Sequence, residues 1–370
     1  MTNSSSTLLF IPDISGFTDF VEKTEINHSR HIISELLEII IDSDKFGMSV
    51  SEIEGDAVLF FKDEIPSVLD LLEQCQHTFI NFHNHLRRYD KERICRCGAC
   101  ETATQLTLKF IIHTGDVQKI IIKDHQKLFG SDVILAHRLL KNSIPENEYI
   151  LITDANELKS ISNDIDKTKW LSIKTGSDTY RNHGKFDYSY IPIKNLLKEV
   201  VEPSEIYFPR LSPGKIIVDI IVNASVDLIY ENFTNLEKRK EWNNDIKEII
   251  LHEKSLNKTG SSHTCLVGSN SFDSQSLGRI EDKDQVVYGE RTNEFKGLQD
   301  IITIYFFEKK GDKTLVKVEI DYKIKSWLGK LMKPVIRKII KQQTQKGLNK
   351  LKIVSEKTFN KQKIEENDEN

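Results

Sequence analysis

Two aspartates, Asp13 and Asp56, stand where a pair of strands offers a joint grip on a metal ion. The apolar run Leu8 to Ile11 ends in Asp13 and a Ser15-Gly16 turn, which sets a carboxylate at a strand end beside backbone amides suited to phosphate. Asp56 follows Gly55 at a hairpin tip, between the alternating segment Met48 to Ile53 and the apolar run Ala57 to Phe61. Two carboxylates on neighbouring strands suit Mg2+ or Mn2+ when substrate phosphates supply the remaining ligands. The plainer reading is that both are turn carboxylates capping backbone amides. A second group is Cys95-Arg-Cys97-Gly-Ala-Cys100, three thiols close enough to ligate Zn2+, with Cys75, His77, His83 or His85 of the preceding helix as fourth ligand. Reduced thiols in a loop, or a redox-sensing disulfide, are the competing readings.

The elements around these residues alternate between strand and helix. The pattern predicts a strand over 7–12, a helix over 28–43, a hairpin over 48–62 and a helix over 66–89. Strands over 106–113 and 117–123 and a helix over 131–142 come next, then strand-like pieces near 149–153 and 186–193. Ile32, Ile33, Leu36, Ile39 and Ile40 recur at the spacing of a helix face packed on a sheet.

In four blocks the chain resembles the class III adenylate and guanylate cyclases. They are Asp13-Ile-Ser-Gly-Phe-Thr18, Glu52-Ile-Glu-Gly-Asp56, Ile112-His-Thr-Gly-Asp-Val117 and Leu128-Phe-Gly-Ser-Asp-Val-Ile-Leu-Ala-His-Arg138. The resemblance implies an α+β fold with a ferredoxin-like βαββαβ core and a site that binds GTP or ATP with Mg2+ or Mn2+. It assigns the metals to Asp13 and Asp56, the nucleotide to Phe17, Thr18, Glu52 and Lys127, and transition-state stabilisation to Arg138. Glu52 matches the guanine-reading glutamate, and Lys127 takes its partner's place, so GTP is mildly favoured. Ile134 stands where the family carries the ribose-orienting asparagine, which weighs against turnover to a cyclic nucleotide. By itself Arg138 is equally a solvated helix-face arginine. The family builds its site between two such domains, so a homodimer is implied.

After Pro203, Pro209 and Pro213 the texture changes, and 199–214 reads as a linker between a domain at 1–198 and a second at 215–360. A strand over 215–222, short helices over 227–233 and 236–242, several strands to about 325 and a long amphipathic helix over 327–359, interrupted at Pro334 and Gly347, resemble the START-like (SRPBCC, helix-grip) fold. That resemblance implies an apolar cavity for a lipid or other hydrophobic small molecule, with Tyr288, Tyr305, Phe306 and Phe307 as lining or as core. The basic amphipathic segment Trp327 to Lys341 has two readings, a membrane-surface helix or a helix that buries its apolar side on its own sheet. The second is the expectation. Residues 361–370 read as a disordered tail.

Composition bounds these readings. A chain of 370 residues suits two domains, and 38% hydrophobic with 29% charged residues describes a globular protein. A net charge of −4 gives no reason to expect nucleic acid or an anionic membrane as a global partner. No apolar run approaches membrane-spanning length, and the five unevenly spaced cysteines fit a reducing compartment, so a cytoplasmic protein is expected. Two functions remain. One is a divergent nucleotide-binding cyclase-like protein with a ligand-binding domain and a role in signalling. The other is a non-enzymatic lipid or small-molecule sensor whose first domain is a degenerate scaffold.

Overall fold

The computed structural model describes residues 6–24, 26–123, 125–154, 171–181, 183–243, 245–252 and 258–368. The chain forms two compact units, one of residues 1–90 with 98–203 and the other of residues 91–97 with 204–370.

The first unit is built on β1 (Thr7–Ser15), α1 (Phe17–Glu22), α2 (Ile26–Asp42), β2 (Ser49–Glu54), β3 (Ala57–Lys62), α3 (Val68–Glu92), α4 (Gly98–Thr102) and β4 (Thr107–Gly115). The small hairpin β5 (Gln118–Ile122) and β6 (His125–Phe129), then α5 (Ser131–Leu139), β7 (Tyr149–Ile152), β8 (Lys174–Tyr180) and β9 (Gly184–Pro192) complete it. Its sheet has the order β2-β3-β1-β4-β7-β9-β8. Within it β1, β2, β3 and β4, with α2 and α3 as crossovers, form a βαββαβ unit whose strands lie as β4-β1-β3-β2, the ferredoxin-like order. β1 runs antiparallel to both β3 and β4, while β4 and β7 are parallel. Central β1 is buried on both faces, which is why its first residues read as a continuous apolar run. Leu9 and Ile11 share a core with Val133, Leu135, Ala136 and Leu139 of α5. Asp13, two residues further along, points to that same face.

The second unit has β10 (Ile216–Val222), α6 (Val226–Thr234), α7 (Leu236–Trp242), β11 (Ile246–Leu251), β12 (Ser262–Val267), β13 (Asn270–Asp282), β14 (Gln285–Phe295), β15 (Leu298–Lys310), β16 (Lys313–Ile324), α8 (Trp327–Leu331) and α9 (Lys333–Asp368). Its seven strands are antiparallel in the order β10-β16-β15-β14-β13-β12-β11. Side-chain caps open both short helices, Ser225 accepting from the Leu228 amide and Asn235 from those of Glu237 and Lys238. Ile94 joins the core of this unit, and its carbonyl accepts from the Tyr230 hydroxyl at 2.8 Å, so residues 91–97, the end of α3 and the loop before α4, belong to it.

Several expectations change. Most of the stretch read as a linker has no regular secondary structure, yet from Ser204 it falls within the second unit. There Ile206 and Phe208 lie where a Cβ on Gly278 or Gly289 would sit, at 2.7 Å, so these glycines are required for the strand to lie under the segment. Neither Pro334 nor Gly347 breaks the last helix. Pro334 is its second residue, where the missing amide costs nothing, and the break falls at Met332. That helix runs to Asp368, past the point where the tail was expected to lose order. The segment ahead of it does not bury its apolar side either: Trp327, Leu328 and Leu331 of α8 and Met332 at the break are exposed.

Candidate metal and nucleotide site

Asp13 lies near the end of β1, paired in register with Ala57 of β3 and Lys109 of β4, and Asp56 sits in the β2–β3 turn. The Ile14 amide donates to the Asp56 carbonyl at 2.9 Å, tying the hairpin tip to β1. Gly55, with φ of 61°, supplies the left-handed residue that this turn needs, and Phe17 packs beside it. Asp13 is buried and is met by the Lys109 ammonium, Nζ to Oδ1 at 3.1 Å. Burial raises the Asp13 pKa, and Lys109 only partly offsets it. Asp56 is raised as well, by burial and then by the charge of Asp13. The cluster holds two carboxylates against one ammonium, an arrangement short of positive charge.

Lys109 was not anticipated. Its signal was there: a lysine inside the apolar strand segment Leu108 to Ile112, directly opposite an aspartate.

Glu52 and Lys127 do come together, Nζ to Oε2 at 3.4 Å. Between them enters an unanticipated residue, His137 of α5, whose Nε2 lies 3.2 Å from Glu52 and whose Nδ1 lies 3.6 Å from Glu54. Glu52, Glu54 and His137 offer ligand atoms within 4.8 Å of one another. Arg138, the next residue, is held elsewhere: its guanidinium donates to the Arg181 carbonyl and meets His183 Nδ1 at 3.0 Å, both in the β8–β9 turn. Ile134 is 50% exposed on the same helix and has no group with which to bind ribose. Phe17 is half-buried and Thr18 exposed at the start of α1. A cavity of about 600 Å³ opens elsewhere in this unit, lined in part by Arg87, Asp90, Lys194 and the buried pair His83–Glu148, 2.7 Å apart. None of the residues expected to bind nucleotide lines it.

Cys100 is buried, with Tyr89 Oη at 3.1 Å and His28 Nδ1 at 3.7 Å from its sulfur. The Cys97 amide donates to Cys95 Sγ at 3.3 Å. Cys100 belongs to the first unit and Cys95 and Cys97 to the second, and the imidazole that meets Cys100 is that of His28 of α2, not one of the residues expected from α3. Cys75 is buried in the core, His77 meets Asn81, His83 meets Glu148 and His85 meets Glu35. Spacing along α3 gave no hint of His28, which is distant in sequence.

In the second unit, the interior contains an ion pair that the sequence did not announce. Arg239 of α7 donates to Glu290 of β14 at 2.7 Å, and both are buried. Arg239 also donates to the Phe233 carbonyl at 2.8 Å, and Tyr288 Oη donates to Glu290 at 2.9 Å. Burial pushes the Glu290 carboxyl up, but Arg239 and His263 pull it further down, so it sits below its usual range. Around the pair, Phe233, Tyr288, Tyr305 and Phe307 form an aromatic cluster. Phe306 is not part of it. Neighbours along a strand face opposite sides, and Phe306 instead carries the Lys317 ammonium 4.1 Å above its ring.

A family model described as a protein of unknown function, DUF2652, matches residues 33–149. An uncharacterised protein of Mycobacterium tuberculosis, Rv2561/Rv2562, is 34% identical over 122 residues, which cover 33% of this chain and 57% of the relative. The chain thus spans little more than half the length of that curated relative. Among solved structures, the guanylate cyclase domain of RhGC from Catenaria anguillulae in complex with GTP is 18% identical, covering 51% of this chain and 97% of its own, with a TM-score of 0.37. The adenylyl cyclase CyaB from P. aeruginosa is 17% identical, covering 50% and 93%, with a TM-score of 0.34. Scores of this size decide nothing about function, which has to be read from this chain's own residues.

Proposed function

We propose that the first unit is a divergent class III cyclase-like module that binds a purine nucleoside triphosphate with a divalent cation at Asp13 and Asp56, and that the second is a START-like module for a hydrophobic small molecule or lipid. The observation that carries the first half is the carboxylate pair, two acids opposed by one ammonium with both pKa values raised. The donor set fits Mg2+ or Mn2+, which are hard cations that prefer carboxylate oxygen. A bound ion would neutralise part of the triphosphate charge and hold its oxygens. Lys109 stays beside Asp13 and adds a fixed positive charge on the same side. Glu52 supplies the acceptor that favours GTP over ATP, once it is released from Lys127 or His137.

Binding with weak or no turnover is the form this reading takes. Ile134 leaves the ribose hydroxyl unoriented, and Arg138 is spent on the β8–β9 turn of its own chain, so two groups that position the reacting atoms are missing. A second chain would be needed to bring an arginine to the carboxylates. For the second unit, support comes from one antiparallel sheet, two short helices after its first strand and a long last helix.

The test is thermal unfolding of the full chain with Mn2+ and GTP or ATP, wild type against Asp56→Asn. A nucleotide shift that requires the cation and disappears in Asp56→Asn supports the reading; saturation a hundredfold above Kd gives about 2.7 kcal/mol of stabilisation. No shift with either nucleotide removes it and moves the function to the second unit, as a non-enzymatic sensor.

A further inference from the structure

The two ends of α9 differ. Toward its C-terminal half the helix buries Leu348, Leu351 and Ser355. Ahead of that, α8 and the first turns of α9 leave six large apolar side chains open: Trp327, Leu328, Leu331, Met332, Val335 and Ile339, with Trp327 and Leu331 each 70% exposed. Trp327, Leu331, Val335 and Ile339 recur every four residues, and Leu328 and Met332 lie one residue round. Helical hydrogen bonds run up to Met332 and on from it, Met332 N to Leu328 O at 3.1 Å and Ile336 N to Met332 O at 3.0 Å, so α8 and α9 meet at that single residue and the six follow one another as an exposed stripe. The inward side is marked by Ile340, packed on the core of the unit, and by Arg337, which donates to the carbonyls of Gly214 and Lys215. Helical spacing puts the stripe on the opposite side from both.

Charge says what covers it. From Tyr322 to Ser355 the sequence has ten lysines or arginines and no aspartate or glutamate, in a chain whose net charge is −4. Lys330, Lys333, Lys338 and Lys341 are exposed in the same segment. A second copy docking face to face would bring two such cationic segments together, which repulsion opposes. An anionic bilayer surface matches both halves of the pattern. Apolar side chains with a tryptophan enter the headgroup boundary, lysine stems lie along it, and their ammonium groups meet lipid phosphates.

We infer that the segment Trp327 to Lys341 docks on an anionic lipid surface, lying in its plane. Among the described residues no helix is long and apolar enough to cross a membrane. The inference is independent of the nucleotide reading.

Co-sedimentation of the full chain with phosphatidylcholine vesicles, pure or with roughly one-third phosphatidylserine, tests it. Partitioning is expected to be at least roughly tenfold stronger on the anionic vesicles and to weaken as salt shortens the range of the lysine charges. Leu331→Glu with Val335→Glu removes the apolar contact, and Lys330→Glu with Lys333→Glu and Lys338→Glu reverses the charge. Each is expected to release the protein while its unfolding midpoint stays that of wild type, because every altered side chain is solvent-exposed. Equal partitioning on neutral and anionic vesicles, or none, overturns the inference. So does a concentration-dependent dimer that the Leu331→Glu, Val335→Glu variant abolishes.

Discussion

The two units each bury charge, and they do so with opposite balance. In the second unit Arg239 and Glu290 are matched one to one, each with further hydrogen bonds, and Glu290 is held below its usual range. In the first unit Asp13 and Asp56 share a single ammonium, and both are raised. The first arrangement is closed and has no need of another ion. The second carries more acid than base, and that excess is what the proposed cation would offset.

Breaking the closed pair has the largest expected effect. Arg239→Met leaves Glu290 buried without its partner, which is expected to cost about 3–5 kcal/mol by denaturant unfolding at neutral pH. The sign with pH comes from Glu290 being depressed in the folded state. Its contribution is present above the unfolded value near 4.5 and is lost as pH falls through the folded value, so the gap between wild type and variant narrows in acid. Should the gap be the same at pH 7 and in acid, the ion pair is not the source of the effect.

The open cluster responds differently. Lys109→Met removes its ammonium and is expected to destabilise the first unit by about 2 kcal/mol, a smaller loss because Asp56 is only half-buried and water screens the cluster. Added Mn2+ should recover more of that loss in the variant than it adds to wild type. An unfolding midpoint indifferent to Mn2+ in both proteins would close the site that the charge balance leaves open.

Asp56→Asn carries the smallest effect and the opposite sign. A folded pKa that is raised gives stability present below the unfolded value near 3.8 and lost as pH rises through the folded one. The substitution is therefore expected to stabilise slightly at pH 7, by a fraction of 1 kcal/mol after allowance for solvent screening of a half-exposed group, and to do nothing at pH below the unfolded value. Destabilisation at neutral pH would mean that Asp56 acts as a turn cap.

Much of the first unit could be read from the sequence, because its strands are either buried on both faces or alternate, and its helices carry one apolar stripe. β1, α2, the β2–β3 hairpin, α3 and α5 lie within a few residues of where periodicity puts them. Short α1, β6 and β8 escaped, since their residues lack a strong period: β8 reads Lys-Thr-Gly-Ser-Asp-Thr-Tyr. In the second unit, Ile206 and Phe208 looked like linker residues because the glycines that receive them are far away in sequence. The same distance hid the pairing of Arg239 with Glu290, where a helix of Leu-Glu-Lys-Arg-Lys-Glu-Trp gives no reason to expect one of its cations inside.

What the sequence determined by itself is what depends on near neighbours: the strand-end positions of Asp13 and Asp56, the loss of a hydrogen-bonding group at Ile134, and the acid-free basic run from Tyr322 to Ser355. Only the tertiary structure decided which groups those residues meet. It put Lys109 on Asp13, His137 on Glu52, His28 by Cys100, Arg138 into its own β8–β9 turn, and the apolar stripe of Trp327 to Ile339 into solvent. The physical reason is that backbone preference and periodicity act over a few residues, while charge balance and burial are set by strand register and helix packing between segments that the chain brings together only on folding.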